Sequence, residues 1–219
     1  MTQEQEIELQ NTIDRVKTGG CSNIQSHSKI FEEAINLIKP KEILEIGFFC
    51  GNSALMMLEL SKGFNTKLTS VDPFMDNPTN DYLNSVGRPE EIGGDSVQLA
   101  AVESIYQNYK DRFRFVHKRS LAAAISGDLS EEPYQLCYCD GDHWEPGVCI
   151  DLNIILALKI PFVLMDDCCP EFPGVAAAFS KMKNRFGVIK YYQKSAGDGA
   201  DVLFLANLDI VEFKPKENE

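Results

Sequence analysis

The sequence has 219 residues, 44% of them hydrophobic, which is enough to bury one substantial core but cramped for two, so we expect a single domain over 1–219. The formal net charge of −12 at pH 7 argues against nucleic acids and anionic membrane surfaces as partners, because both would repel an acidic protein. A small-molecule substrate is therefore expected, and a homo-oligomer stays open.

The cysteines and the N-terminal segment indicate the cellular compartment of the protein. Seven cysteines, an odd number, occur without zinc-type C-x2-C pairs, so we expect reduced thiols that pack in the core. The opening MTQEQEIELQNTIDRV is polar and acidic, unlike a signal or transit peptide, and no apolar run approaches the roughly 20 residues of a membrane span. We therefore expect a cytoplasmic protein.

Hydrophobic periodicity predicts alternating strands and helices. Two leading helices are expected within 3–38, with the polar stretch 21–28 between them, and the first strand ends at Glu45. Further strands are predicted at 67–71, 113–117, 134–139, 161–165, 187–192 and 202–206, and further helices at 54–60, 96–109, 121–126, 148–158 and 175–185. This order predicts an α/β fold, a doubly wound, mainly parallel sheet of seven strands with an antiparallel C-terminal hairpin.

The segment 73–95 interrupts the alternation. It is rich in Pro, Asn, Gly and Asp, and it is too long for a simple connection between a strand and a helix. Two interpretations stay open. The segment is either a disordered insertion or, because aromatic residues are embedded in it, a cap that folds over a site.

The stretch KEILEIGFFCGNS, 41–53, is typical of a strand, a glycine turn and the start of a helix. Gly47 would let the backbone approach a ligand, Gly51 would let the helix start pack closely, and the unpaired N–H groups there favour a negatively charged ligand group. The spacing differs from the G-x-G-x-x-G pattern of dinucleotide sites, and Asp72, after the second strand, suits a ribose diol. These features indicate an adenosyl cofactor without a pyrophosphate; an ordinary turn with two incidental glycines is the alternative.

Four acidic residues follow two neighbouring strands of the predicted sheet. Asp140 and Asp142 come after the fourth strand, and Asp166 and Asp167 come after the fifth. A single Asp there could simply cap a helix, but the mutual repulsion of four carboxylates would be relieved by a divalent cation, and oxygen ligands suit Mg²⁺, Ca²⁺ or Mn²⁺. His143 is either a structural histidine or a base that takes a proton from a substrate hydroxyl near that cation.

Four motifs in this order, ILEIGFFCGNSAL, TSVDPF, YCDGDHWEPGVCIDL and FVLMDDCC, resemble those of the class I S-adenosylmethionine-dependent methyltransferases. The resemblance runs from about Ser28 to Phe179. It is strongest to the small divalent-metal-dependent O-methyltransferases of the catechol, caffeoyl-CoA and macrolide-sugar type, in the subgroup with I-D-G-D-H after the fourth strand. It implies a Rossmann-like methyltransferase fold, S-adenosylmethionine as cofactor and a divalent cation, with Mg²⁺ expected first.

The resemblance assigns roles position by position. It implies cofactor-binding residues in the glycine turn, at the ribose hydroxyls and near the adenine, namely Glu45, Gly47, Gly51, Ser53, Asp72 and Ser120. Metal ligands are implied at Asp140, Asp166 and Asp167. His143 takes the place of the basic lysine of the catechol enzymes, so Asp140 and His143 are the implied catalytic residues. The sequence departs from the family in two places: Asp167 stands where many relatives have asparagine, and 73–95 matches no identified cap, which leaves the substrate open.

The resulting prediction is O-methylation of a small hydroxylated acceptor, a sugar or a phenol. The cation would bind acceptor oxygens and lower the pKa of the attacking hydroxyl, while His143 removes its proton. Two alternatives stay open. One is a nicotinamide-dependent oxidoreductase on the same fold, disfavoured by the two-glycine turn, and the other is a catalytically silent cofactor-binding protein, disfavoured by the complete acid cluster.

Overall fold

The computed structural model of the protein describes residues 24–49, 51–73, 95–129, 133–192 and 201–212. Its helices are α1 (Ile24–Ile38), α2 (Asn52–Leu60), α3 (Asp95–Tyr109), α4 (Ser120–Ile125), α5 (Glu145–Ala157) and α6 (Pro173–Met182), with a 3₁₀ turn at Lys62–Phe64. Its strands are β1 (Glu42–Ile46), β2 (Lys67–Val71), β3 (Phe113–Val116), β4 (Leu136–Cys139), β5 (Phe162–Met165), β6 (Phe186–Tyr192) and β7 (Val202–Asn207). The first predicted helix and almost all of the predicted cap at 73–95 lie outside the described residues.

The strands form one sheet in the order β3-β2-β1-β4-β5-β7-β6. The pairs formed among β1 to β5 are all parallel, whereas β7 runs antiparallel to both β5 and β6. This confirms the predicted doubly wound sheet with its antiparallel hairpin. The last residues of β1, β2, β4 and β5 are paired in register, so these strands end at one edge. The residues that follow them are therefore brought side by side.

Helices cover both faces of the sheet, which is why its central strands are largely apolar. Every residue of β1 and of β4 is buried. One core cluster packs against α1, α2 and α3 and includes Phe31 and Met57. The other packs against α4, α5 and α6 and includes Leu152 and Val175. The central strands are therefore packed between two apolar layers, and the residues beyond their ends start from these packed positions.

Two helices begin three or more residues earlier than predicted, in polar sequence. α1 starts at Ile24, inside the polar stretch that we expected to precede it. His27 lies in this first part and is only 6% exposed, so a polar residue takes an interior position there. α5 starts at Glu145 with Pro146 in its first turn, where the missing N–H of proline costs no helical hydrogen bond. Both starts were missed because the apolar period begins only one turn later.

Within the described ranges, the protein has neither a disulfide bond nor a helix long and apolar enough to cross a membrane. The free cysteines are Cys137, Cys139, Cys149, Cys168 and Cys169. Burial raises the pKa of the Cys137 and Cys139 thiols well above the ordinary value. Cys137, Cys139 and Cys169 are buried, as predicted for packing thiols, whereas Cys149 and Cys168 are only partly buried.

Candidate active site

The predicted site residues meet at the edge of the sheet where the parallel strands end. β1 is followed by Gly47, β2 by Asp72, β4 by Asp140 and β5 by Asp166. The backbone N–H of each of these residues donates a hydrogen bond to the last carbonyl of a neighbouring strand, at 2.9 to 3.2 Å. Strand pairing therefore extends one residue beyond each strand and fixes where the four side chains start.

Both glycines of the turn are required by its geometry. Gly47 has a φ of +94°, and a Cβ at this position would fall 2.0 Å from the backbone oxygen of Asp140. Gly51 has a φ of +75° at the start of α2, and a Cβ there would fall 2.6 Å from the Phe48 ring. A larger residue at position 47 would thus push the turn away from the loop after β4, and one at position 51 would displace the Phe48 ring. The glycines are not incidental, and they bring the turn against Asp140.

Glu45 and Ser53 lie beneath the turn. The carboxyl group of Glu45 is fully buried and accepts hydrogen bonds from the hydroxyls of Ser53 on α2 and Ser70 on β2. Burial raises the pKa of Glu45 to about 8, although both hydroxyls oppose the rise. Glu45 and Ser53, both predicted to bind the cofactor, therefore belong to a buried hydrogen-bonded group that connects β1, β2 and α2.

Asp72, which follows the adjacent strand β2, contacts the turn through its carboxylate. Its Oδ2 accepts hydrogen bonds from the backbone N–H groups of Phe48, at 2.8 Å, and Phe49, at 3.1 Å. Phe49 has a φ of +46°, an unusual conformation for a non-glycine residue. Two charge-assisted hydrogen bonds compensate for that conformation. Asp72 is 6% exposed and lies at the end of β2, as predicted for the acid of a ribose site.

Ser120 begins α4 directly after β3, and its hydroxyl donates to Oδ1 of Asp151 at 2.5 Å. Sequence reasoning missed Asp151, a residue on the buried side of α5 that is 3% exposed. A signal for it exists, because an acid at position 151 lies between the apolar residues Val148, Leu152 and Ile155 on one helix face.

Asp140, His143 and Asp167 form an open cluster in which one ligand atom from each lies within 4.8 Å of the others. Nε2 of His143 is 2.8 Å from Oδ2 of Asp167 and 3.9 Å from Oδ1 of Asp140. The imidazole also packs on Phe172, with ring centroids 4.6 Å apart. A Cβ on Gly174 would fall 2.3 Å from the His143 backbone oxygen, so the start of α6 is packed closely against this loop.

Asp166, the third predicted metal ligand, has a different environment. Its side chain is 7% exposed, and its Oδ2 accepts a hydrogen bond from the Tyr138 hydroxyl at 2.5 Å and lies 2.7 Å from Nε2 of His27. Its Oδ1 accepts the backbone N–H of Asp167 at 2.8 Å. The Tyr138 oxygen is also 3.1 Å from Oδ2 of Asp140. Sequence reasoning missed His27 and Tyr138, because neither lies near Asp166 along the chain.

The charges of this region favour a cation. Burial, followed by the carboxylates of Asp166 and Asp167, raises the pKa of Asp140 well above its ordinary value. Burial also raises the pKa of Asp166, but the hydrogen bonds from His27 and Tyr138 outweigh it and leave the pKa lowered. About a third of the Asp140 side chain, 33%, remains exposed. The partly open carboxylates of Asp140 and Asp167 offer oxygen donors that suit a divalent ion.

The chain is similar to known methyltransferases. Residues 44–168, more than half of the chain, match the family described as "Methyltransferase domain". No curated protein matches the sequence. The O-methyltransferase from Bacillus cereus in complex with SAH is a similar solved structure, with 14% identity over 94% of this chain and 91% of that chain and a TM-score of 0.61.

Two further solved structures are similar. The SAH-bound methyltransferase PaMTH1 of Podospora anserina has 18% identity over 94% of this chain and 88% of that chain, with a TM-score of 0.56. The O-methyltransferase TomG of Streptomyces achromogenes, involved in tomaymycin synthesis and in complex with SAM, has 16% identity over 83% and 78%, with a TM-score of 0.59. At these identities the likeness establishes the fold.

The matched range contains both parts of the candidate site. It includes the glycine turn and Asp72, and it extends through Asp140 and His143 to the end of β5. It therefore covers the same elements whose register builds the site. The family match leaves the nicotinamide-dependent oxidoreductase without support, and the chain belongs to the methyltransferase domain family.

Proposed function

We propose that the protein is an S-adenosylmethionine-dependent O-methyltransferase that acts on a small hydroxylated acceptor, a sugar or a phenol, with a divalent cation at its acid cluster. One observation carries the proposal. The glycine turn lies directly against the first residue of the cluster, since a Cβ at Gly47 would fall 2.0 Å from the Asp140 backbone oxygen. A cofactor held at the turn would lie beside groups that can receive a hydroxylated acceptor.

On the cofactor side, some residues are proposed to shape the glycine turn and others to bind the cofactor directly. Glu45 and Ser53 support the turn from below, and Gly47 and Gly51 provide its backbone shape. Asp72, at the end of the next strand, is proposed to bind the ribose hydroxyls. The Bacillus cereus and Podospora anserina proteins bind SAH and TomG binds SAM, which supports this choice of cofactor.

On the acceptor side, Asp140, Asp166 and Asp167 are the proposed ligands of the cation, with Mg²⁺ expected first because carboxylate oxygens dominate the donor set. The donors fit such an ion, since the carboxylates of Asp140 and Asp167 are 33% and 26% exposed and lie beside the buried Asp166. When bound, the cation would supply positive charge that lowers the pKa of an acceptor hydroxyl.

His143 is proposed as the base. The ring is held between Asp167 and Phe172, with Nε2 directed at the cluster, and 36% of the side chain is exposed. When Nε2–H donates to Asp167, the lone pair of the neutral imidazole is on Nδ1, which can take the proton of the acceptor hydroxyl while the oxygen receives the methyl group and S-adenosylhomocysteine leaves. The carboxylate of Asp167 would stabilise the imidazolium that forms.

The proposal is tested with radiolabelled S-adenosylmethionine, Mg²⁺ and a panel of phenols, catechols and sugars. We expect labelled product from one class of acceptor, and calorimetry should show binding of S-adenosylhomocysteine but not of NAD. The matched control is Asp140→Asn, which keeps the shape of the side chain and removes its charge, and which should bind the cofactor without transferring methyl groups. A wild type that binds the cofactor yet methylates no member of a broad panel would favour the catalytically silent alternative.

A further inference from the structure

The proposed chemistry leaves one buried carboxyl unused. Asp151 lies on the face of α5 that is otherwise filled by Val148, Leu152, Ile154 and Ile155, and only 3% of it is exposed. Burial raises its pKa to about 7, the nearby Asp142 carboxylate adds to the rise, and the hydroxyl of Ser120 opposes it. A carboxyl in an apolar helix face is costly for folding, which suggests a role outside packing.

Asp151 connects the loops that follow β3 and β4. Its Oδ1 accepts the hydroxyl of Ser120 at 2.5 Å, and a Cβ on Gly141 would fall 3.2 Å from its Oδ2. In the sheet, β2 and β1 lie between β3 and β4, so the ends that carry Asp72 and Gly47 lie between these two loops, where a ligand crevice is expected at the carboxyl ends of the strands. A ribose at Asp72 would direct the purine of the same cofactor into that crevice.

The hydrogen bond to Asp151 determines what Ser120 can offer a ligand. A serine hydroxyl has one hydrogen to donate and two lone pairs that accept. Among the described residues, only Ser120 donates a hydrogen bond to the Asp151 carboxyl, and the hydrogen of Ser120 is thereby used. The oxygen of Ser120 is then left as an acceptor. The exocyclic amino group of adenine is a donor, whereas the oxo group of a 6-oxopurine is not.

We propose that Asp151 is a positioning residue of the adenine subsite, which by taking the hydrogen of Ser120 presents that hydroxyl as an acceptor to the 6-amino group of the cofactor. The inference rests on the proposed cofactor and adds a basis for its recognition. Asp151 itself acts through Ser120 and does not contact the purine. A site built around one hydrogen bond discriminates strongly against an analogue that leaves its polar atom unpaired.

The test compares two probes by calorimetry at pH 8.5, where the Asp151 carboxyl is ionised. The probes are S-adenosylhomocysteine and S-inosylhomocysteine, which differ in the 6-amino and 6-oxo groups. The wild type should prefer the amino probe by about 10- to 100-fold. Ser120→Ala and Asp151→Leu, the second of which keeps the branching at Cγ, should each reduce the preference to about threefold or less. Ser126→Ala, at the other end of α4, is the matched control and should keep the wild-type preference.

The double variant separates positioning from general structural support. If Asp151 acts through Ser120, Asp151→Leu changes nothing further once Ser120 is alanine. An additional loss in the double variant, or a full preference in Asp151→Leu, would overturn the inference. Ser120→Ala keeps the buried carboxyl, so a full preference in that variant overturns it even if Asp151→Leu does not fold. A wild type that binds neither probe contradicts the proposed cofactor, whereas equal binding of both contradicts only the role of Asp151.

Discussion

His27 and Asp166 form a buried pair that joins α1 to the end of β5, with 2.7 Å between His27 Nε2 and Asp166 Oδ2. Their side chains are 8% and 7% exposed, and Tyr138 donates to the same carboxylate oxygen. A carboxylate proposed to bind a cation is thus oriented by two side chains, one from α1 and one from β4. Such supporting contacts tune ligand geometry in metal sites. The leading helix is therefore part of the candidate site and does more than cover the sheet.

Loss of the imidazole should destabilise the fold. His27→Ala removes a hydrogen-bond partner from a buried carboxylate, and we expect the free energy of unfolding in urea to fall by about 1 to 3 kcal/mol at pH 7. His117→Ala, at an exposed histidine, is the control and should cost clearly less. The pKa of Asp166 is lowered in the folded protein, so this contribution is present above its unfolded pKa of about 4 and is lost as the pH falls further. Equal effects of the two substitutions would contradict the role of the pair.

Glu45 should make stability depend on pH in a predictable direction. Its pKa rises from 4.5 in the unfolded chain to about 8 in the folded protein, mainly through burial. The folded state therefore holds a proton that the unfolded state has lost, and stability decreases as the pH rises from 5 to 9. Glu45→Gln should reduce the loss in the free energy of unfolding between pH 5 and pH 9 by up to about 4 kcal/mol. Glu103→Gln, on the exposed side of α3, is the control, and urea unfolding at both pH values is the measurement. A decrease as steep in Glu45→Gln as in the wild type would show that Glu45 is not its source.

Asp72 should matter for the cofactor. Asp72→Ala removes the acceptor of the Phe48 and Phe49 N–H groups and leaves the ribose hydroxyls unpaired, so we expect binding of S-adenosylhomocysteine to weaken by roughly 1 to 3 kcal/mol. Calorimetry on the folded variant measures this directly. Asp111→Ala, at an exposed acid, makes the same change in net charge and should leave the affinity unchanged. An unaltered affinity in folded Asp72→Ala would remove Asp72 from the cofactor site.

Substitution of His143 should reduce catalysis without weakening metal binding. As a base, it is dispensable for the cation, so His143→Ala should leave the Mg²⁺ dissociation constant nearly unchanged and lower kcat by a factor on the order of 10² to 10⁴. Asp167→Ala should weaken Mg²⁺ binding by roughly tenfold or more, because it removes a charged ligand. Calorimetry with Mg²⁺ and methyl-transfer assays provide the two measurements. If His143→Ala loses Mg²⁺ as severely as Asp167→Ala, the imidazole is a ligand, and the proton goes to Asp142 or to water.

Chelation should abolish methyl transfer without releasing the cofactor. The acid cluster is proposed to act on the acceptor and not on the cofactor, so we expect EDTA to stop transfer, Mg²⁺ to restore it, and the affinity for S-adenosylhomocysteine to stay within a few-fold throughout. The comparison uses one protein preparation assayed before chelation, after it, and after Mg²⁺ is added back. Undiminished transfer in excess EDTA would show that the carboxylates serve another purpose.

The order of strands and helices could be read from the sequence because hydrophobic periodicity is a local property. β2 was predicted at its observed bounds, and the strand ends placed Gly47, Asp72, Asp140 and Asp166 at one edge of the sheet. The prediction worked because parallel strands in a doubly wound sheet end together, whatever their side chains are. The predicted helix starts were less accurate, because the first turns of α1 and α5 are polar and lack the apolar period.

The partners of the site residues were decided by the tertiary structure. His27 and Asp166 are 139 positions apart, and the two hydroxyls on Glu45 come from α2 and from β2. No local pattern encodes such pairs, because they depend on how the two layers of helices pack on the sheet. The same holds for Asp151, whose acid is visible on an apolar helix face but whose contact with Ser120 exists only once α4 and α5 lie on the same face of the sheet.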